Sequence, residues 1–186
     1  MAAFISQSLS QVLVHLIFST KNREAWQSQE IRNELHAYIG GIVNPQIGVL
    51  LQAGSVEDHI HLLLAHPQTI SPAKLVQVIK TGSSKLIKTK GVRFTKFAWQ
   101  TDYGIFSVSP SQQQTVVAYI ENQAEHQRNN SFQDENRNLL AKYNDPFDER
   151  YLWDLCTAAP SGLASLFGHF PGKLPRAIAC QPLGLL

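Results

Sequence analysis

Residues 47–66 read IGVLLQAGSVEDHIHLLLAH. Two apolar runs, Ile47–Ser55 and His59–His66, flank a short Val-Glu-Asp connection, a pattern that predicts two strands joined as an antiparallel hairpin. On a strand, side chains two apart share a face. His59 and His61 therefore stand side by side, while Ile60 points the other way into a core.

Working outward, Gln11–Thr20 alternates and is rich in β-branched residues, so it predicts an earlier strand. Ser28–Gly40 predicts an amphipathic helix with Ile31, Leu35 and Tyr38 on its apolar stripe, Ser28 as N-cap and Gly40-Gly41 as its end. After the hairpin, Ser71-Pro72 opens a second helix that carries Leu75, Val78 and Ile79 and runs to about Lys88. Phe97–Gln100 and Tyr103–Val108 predict strand-like pieces. Ser109-Pro110-Ser111-Gln112 predicts the start of a third helix reaching about Gln127, followed by a short helix over Asp134–Lys142. The order strand, helix, strand, strand, helix, strand, helix fits an α+β, ferredoxin-like split β-α-β fold: an antiparallel sheet with helices on one face. That architecture hosts many functions and decides none.

Composition bounds the rest. With 186 residues and 16% charged residues, the chain is long enough for one domain with a core plus an appendage. A domain over residues 1–154 and a tail over 155–186 are expected, because the acidic residues stop at Asp154 and Gly, Pro, Ala and Leu dominate beyond it. The tail is either a flexible linker or an apolar segment that docks elsewhere. No apolar run is long enough to span a bilayer, the first residues lack the features of a signal peptide, and Cys156 and Cys180 form no CxxC pair. A cytoplasmic location without membrane contact is the expectation.

Charge is unevenly distributed. From His59 to Thr101 there is no Asp or Glu, and Lys74, Lys80, Lys85, Lys88, Lys90, Arg93 and Lys96 give that stretch +7. The other 9 basic and 14 acidic residues sum to −5. A one-signed segment is either a solvated helix face or a phosphate-binding surface. Phe94, Phe97 and Trp99 alternate with the basic residues and serve either as base-stacking surfaces or as core.

Two constellations can carry chemistry. His59 and His61 are either ordinary strand histidines or half of a divalent metal site, since neutral imidazoles are good ligands. On the third helix Tyr119 and Gln123 lie four apart and share a face. The carboxamide oxygen of Gln123 can ligate a cation, and Tyr119 is either a packing aromatic or a nucleophile. Taken together, His-hydrophobe-His on a strand, an acid-free basic segment and Tyr-x-x-x-Gln on a helix resemble the HUH single-tyrosine transposases, which include the insertion-sequence and REP-associated tyrosine transposases. HLIFSTKNR at 15–23, WQTDYGIFSVS at 99–109, YIENQAEHQ at 119–127 and FDERYLWD at 147–154 are similar to further family segments, so the likeness spans about residues 10–154.

That resemblance implies cleavage and rejoining of single-stranded DNA at hairpin ends of a mobile or repeated element. Tyr119 would attack a backbone phosphate to give a 5′-phosphotyrosine and a 3′-hydroxyl. His59, His61 and Gln123 would hold Mg²⁺ or Mn²⁺. Arg23, Lys80, Lys85, Lys88, Arg93 and Lys96 would contact DNA, and Asp58 would orient a ligand or act as base, with Glu121 or a metal-bound water as other bases. A homodimer is implied, with Tyr119 acting on its own histidine pair or on its partner's. A non-catalytic single-stranded nucleic-acid-binding domain, or a domesticated inactive member, is the alternative.

Overall fold

The computed structural model describes residues 10–43 and 48–123, together with Glu125, Arg137, Asn138 and Ala141. The expected boundary at Asp154, the FDERYLWD segment and the tail lie outside these residues. So does the Asp134–Lys142 helix, apart from Arg137, Asn138 and Ala141, which are helical.

Four strands, β1 (Val12–Ser19), β2 (Val49–Ser55), β3 (His59–His66) and β4 (Gly104–Val108), form one sheet in the order β2-β3-β1-β4. Every pairing is antiparallel. Helices α1 (Gln29–Ile42), α2 (Pro72–Lys88) and α3 (Gln113–Glu121) complete the mixed α/β fold expected from the order of elements. No helix among the described residues is long and apolar enough to cross a membrane.

Alternation along the central strands separates two apolar layers. Val14, Leu16, Phe18, Ile60, Leu62 and Leu64 pack with Leu35 and Ile39 of α1 and Leu75, Val76, Ile79 and Ile87 of α2. Each such side chain, fully buried, contributes about 1.5–3 kcal/mol. Leu13 and Leu63 instead meet Val108 of β4 and Ile120 of α3. Two helices thus cover the expected face and α3 lies across the other, where His59 and His61 also point.

Local details depart from expectation where packing outweighs propensity. Gly40 and Gly41 do not end α1, which continues to Ile42. A helical glycine costs about 1 kcal/mol relative to alanine, and the burial of Ile39 and Val43 on the core offsets it. Ser71 caps α2 as expected, its hydroxyl accepting from the Lys74 amide at 3.2 Å. The Phe97–Gln100 piece is not a strand: Val92–Lys96 forms a 3-10 turn, and Trp99 makes a single bridge to Thr20. A 3-10 turn over Pro110–Gln112 leads into α3; Gln123 and Glu125 beyond Glu121 are also helical, and the remainder of the expected stretch to Gln127 lies outside the described residues. Phe94, Phe97 and Trp99 are all buried, so they are core and not base-stacking surfaces.

The Trp99 indole is pinned by polarity as well as by area. Its Nε1–H donates to Ser83 Oγ at 2.9 Å, and the Ser83 hydroxyl donates to the Ile79 carbonyl at 2.6 Å. Ser83→Ala leaves that indole donor buried without its acceptor. The variant is expected to unfold about 1–3 kcal/mol more easily in urea, and an unchanged midpoint would show that the bond contributes nothing.

Candidate active site

His59 and His61 open β3 and are both fully buried. Their ring centroids lie 5.2 Å apart, with the planes at 69°. Ile60, between them, belongs to the opposite core layer. The side-by-side placement read from the two-residue period is therefore realised.

Asp58 immediately precedes the pair and binds it. His59 donates from Nδ1 to Asp58 Oδ1 at 2.7 Å, since a carboxylate can only accept. Arg23 donates to the other oxygen from Nε at 3.3 Å and Nη2 at 3.2 Å. Burial alone would raise the Asp58 carboxyl, but the bond from His59, the His59 charge and Arg23 outweigh it and hold it below its ordinary value. Arg23, expected on DNA, is thus placed on Asp58. It reaches there from a 3-10 turn in which Asn22 and Arg23 have φ of 56° and 57°. Such a conformation costs a non-glycine residue of order 1–2 kcal/mol.

The hairpin turn is clamped from the same side. The amide of Thr20 donates to the Asp58 carbonyl at 2.7 Å, and those of Trp26 and Gln27 donate to the Glu57 carbonyl at 3.1 Å each. The 20–27 segment therefore fixes the turn from which the histidines emerge.

A third histidine joins the pair. His15, on β1, is 1% exposed, and its Nε2 lies 3.1 Å from Nδ1 of His61. Sequence reading placed His15 in a family-like segment without giving it a role. The available signal was a histidine at an inward position of the strand next to β3. Its register explains the contact: Ile17 pairs with His61, and His15 is the diagonal neighbour on the same face.

Tyr119 completes the cluster within the same chain. Its ring lies 5.9 Å from that of His61 and 6.2 Å from that of His15, both edge-on at 73° and 80°. Gln123, one turn on, is buried. What allows α3 so close is Gly54, which pairs with His61 across the hairpin. A Cβ there would lie 2.3 Å from the Ile120 carbonyl oxygen and 2.8 Å from Ile120 Cγ2.

The donor chemistry suits a divalent cation: two imidazoles and a carboxamide oxygen. Burial, reinforced by the neighbouring His59 and His15, pushes His61 well below the usual imidazole value, so it is neutral and able to ligate. Among the described residues no group of three or more His, Cys, Asp or Glu is arranged to hold a metal.

The expected DNA contacts divide. Lys85, Lys88, Arg93 and Lys96 are exposed. Lys80 is placed otherwise: its ammonium donates to the carbonyls of Gln100, Thr101 and Asp102 at 2.8, 3.1 and 2.9 Å. It also lies 5.0 Å from the Phe18 ring and 5.3 Å from that of Tyr103. Burial pushes it down to about 8, against a smaller upward pull from Asp102. Lys80 is an internal tie, held by the main chain ahead of β4 rather than exposed like the other four.

A family model described as "Transposase IS200 like" matches residues 8–123. No curated protein matches significantly. Among solved structures, a "putative transposase" from Deinococcus radiodurans R1 aligns at 22% identity with a TM-score of 0.51, covering 66% of this chain and 98% of that one. A REP-associated tyrosine transposase bound to a REP hairpin aligns at 13% identity with a TM-score of 0.48, covering 68% of this chain and 74% of that one.

Two outcomes follow from the geometry. Gly54→Ala should push α3 off the sheet, costing about 1–3 kcal/mol. Hydrogen exchange should rise at the amides of Val116–Ile120 while β1 and β3 stay protected, and unchanged exchange there would refute the contact. Separately, burial followed by the Arg32 charge lowers His36, as burial lowers His61, from the ordinary 6.5. Between each lowered value and 6.5 the unfolded chain binds protons that the folded chain refuses, so stability rises with pH there and is lost toward acid. Urea unfolding should show lower stability at about pH 5.5 than at about pH 7.5, with a smaller difference in His36→Gln.

Proposed function

We propose that this chain, which belongs to the IS200-like transposase family, cleaves and rejoins single-stranded DNA with Tyr119 as nucleophile and a divalent cation held by His59, His61 and Gln123. The observation that carries this reading is the packing of the Tyr119 ring against His61 within one chain. A tyrosine that served only to fill the core would have no need of buried imidazoles beside it.

The chemistry follows from these groups. The Tyr119 hydroxyl attacks a backbone phosphorus, the bond to the 3′ oxygen breaks, and a 5′-phosphotyrosine forms beside a free 3′-hydroxyl. The phenol gives up one proton and the leaving oxygen takes one. The phosphodiester energy is kept in the protein–DNA bond, so a second 3′-hydroxyl can attack and rejoin without ATP. Mn²⁺ or Mg²⁺, held by His59, His61 and Gln123, would polarise the scissile phosphate and offset charge on the leaving oxygen. A phenol ionises near ~10, so positive potential near the nucleophile favours the reactive form.

Substrate binding is assigned to the exposed cations. Lys85 and Lys88 lie toward the end of α2, and Arg93 and Lys96 sit on the turn after it. The substrate proposed is single-stranded DNA at hairpin ends, and two chains forming a homodimer would bring two such sites together. The contact between Tyr119 and His61 favours a site assembled within each protomer.

Incubating the full chain with a single-stranded hairpin oligonucleotide and Mn²⁺, then separating products on a denaturing gel, tests the reading. A covalent protein–DNA adduct is expected, reduced on the order of 10³-fold or more in Tyr119→Phe. An adduct that persists in that variant would overturn the assignment of the nucleophile. Binding without any adduct would favour a non-catalytic nucleic-acid-binding protein.

A further inference from the structure

We propose that His15 is a positioning residue that accepts the Nδ1–H of His61 and so presents the Nε2 lone pair of His61 to the cation, an inference that rests on the metal reading above.

The argument starts from proton placement. A neutral imidazole carries one N–H and one lone pair, and only the nitrogen with the lone pair can ligate. For His59 the choice is made by Asp58: a carboxylate accepts, so Nδ1 keeps its proton, and in the neutral ring that a ligand must be Nε2 carries the lone pair. Ligating histidines characteristically donate their other ring N–H to such an acceptor. At Nδ1 of His61, 3.1 Å away, stands Nε2 of His15.

When both rings are neutral, the one proton in this contact can sit in two ways. If His15 donates, His61 must hold its own proton on Nε2 and cannot ligate through that atom. If His61 donates, its Nε2 carries a lone pair, matching the arrangement that Asp58 imposes on His59. Only the second arrangement lets His59 and His61 ligate through the same ring position.

Three observations make His15 suited to hold that arrangement. It is buried, so water does not compete for the bond. It sits on β1, paired on both sides with β3 and β4, so its backbone is fixed at the centre of the sheet. Its ring also touches Tyr119 edge-on, which limits rotation. An imidazole differs from a carboxylate in adding no negative charge beside a phosphate-handling site.

The test uses the full chain in two measurements. With ¹⁵N-histidine label and no metal, long-range proton–nitrogen spectra report which ring nitrogen of His61 carries the proton. Nδ1–H is expected in the wild type, shifting toward Nε2–H in His15→Ala. Titration with Mn²⁺ alone is expected to show roughly 10–100-fold weaker binding in His15→Ala. His15→Gln, whose carboxamide oxygen can accept the same proton, should recover most of the affinity. A protonated Nε2 in wild-type His61 overturns the proposal without any variant needing to fold. So does a wild type that binds Mn²⁺ with His15→Ala within about twofold of it, a difference worth only ~0.4 kcal/mol. In that case the metal reading stands. A wild type that binds no Mn²⁺ overturns both.

Discussion

The register between β1 and β3, running from Val12 opposite His66 to Ser19 opposite His59, holds two incompatible surfaces back to back. On one side of these strands lie leucines and isoleucines under α1 and α2; on the other lie three histidines under α3. A slip of one residue would exchange the faces, driving imidazoles into hydrocarbon and leucines toward the tyrosine. Such an exchange would forfeit several buried aliphatic side chains and strand polar rings, so the ladder strongly favours a single alignment. The apolar layer thereby places His61 even though it does not touch its ring. Chemistry on one face is positioned by packing on the other.

The polar side of the sheet is ordered by hydrogen bonds of different kinds. At the strand end, an arginine from an unusual backbone turn braces Asp58, which braces His59. In the sheet interior one imidazole faces another, His15 against His61 across adjacent strands. The first chain of bonds borders solvent, with Arg23 exposed, and can respond to phosphate or salt. The second is sealed. A site built this way has one adjustable edge and one rigid one.

How much of this was written in the sequence varies by residue. The hairpin at residues 47–66 and the facing of His59 and His61 were legible because a strand has a period of two and few ways to use it. Tyr119 and Gln123 were legible as a helical pair, although helix spacing could not say which face of the sheet they would meet. That depended on Gly54, whose missing side chain carries no pattern of its own. His15 was invisible as a partner of His61 because their contact crosses two strands that are far apart along the chain. Gly40-Gly41 misled in the other direction, since local punctuation lost to the burial of Ile39 and Val43.

Lys80 shows what a linear tally of charge leaves out. Counted along the chain it is one of seven cations in an acid-free stretch, yet its ammonium group is enclosed by three main-chain oxygens and two aromatic rings. It works as a strut, fastening α2 to the loop that feeds β4 and, beyond it, the helix bearing Tyr119. Of the seven cations in that stretch it alone is not exposed. A residue that looked like part of the docking surface belongs instead to the frame.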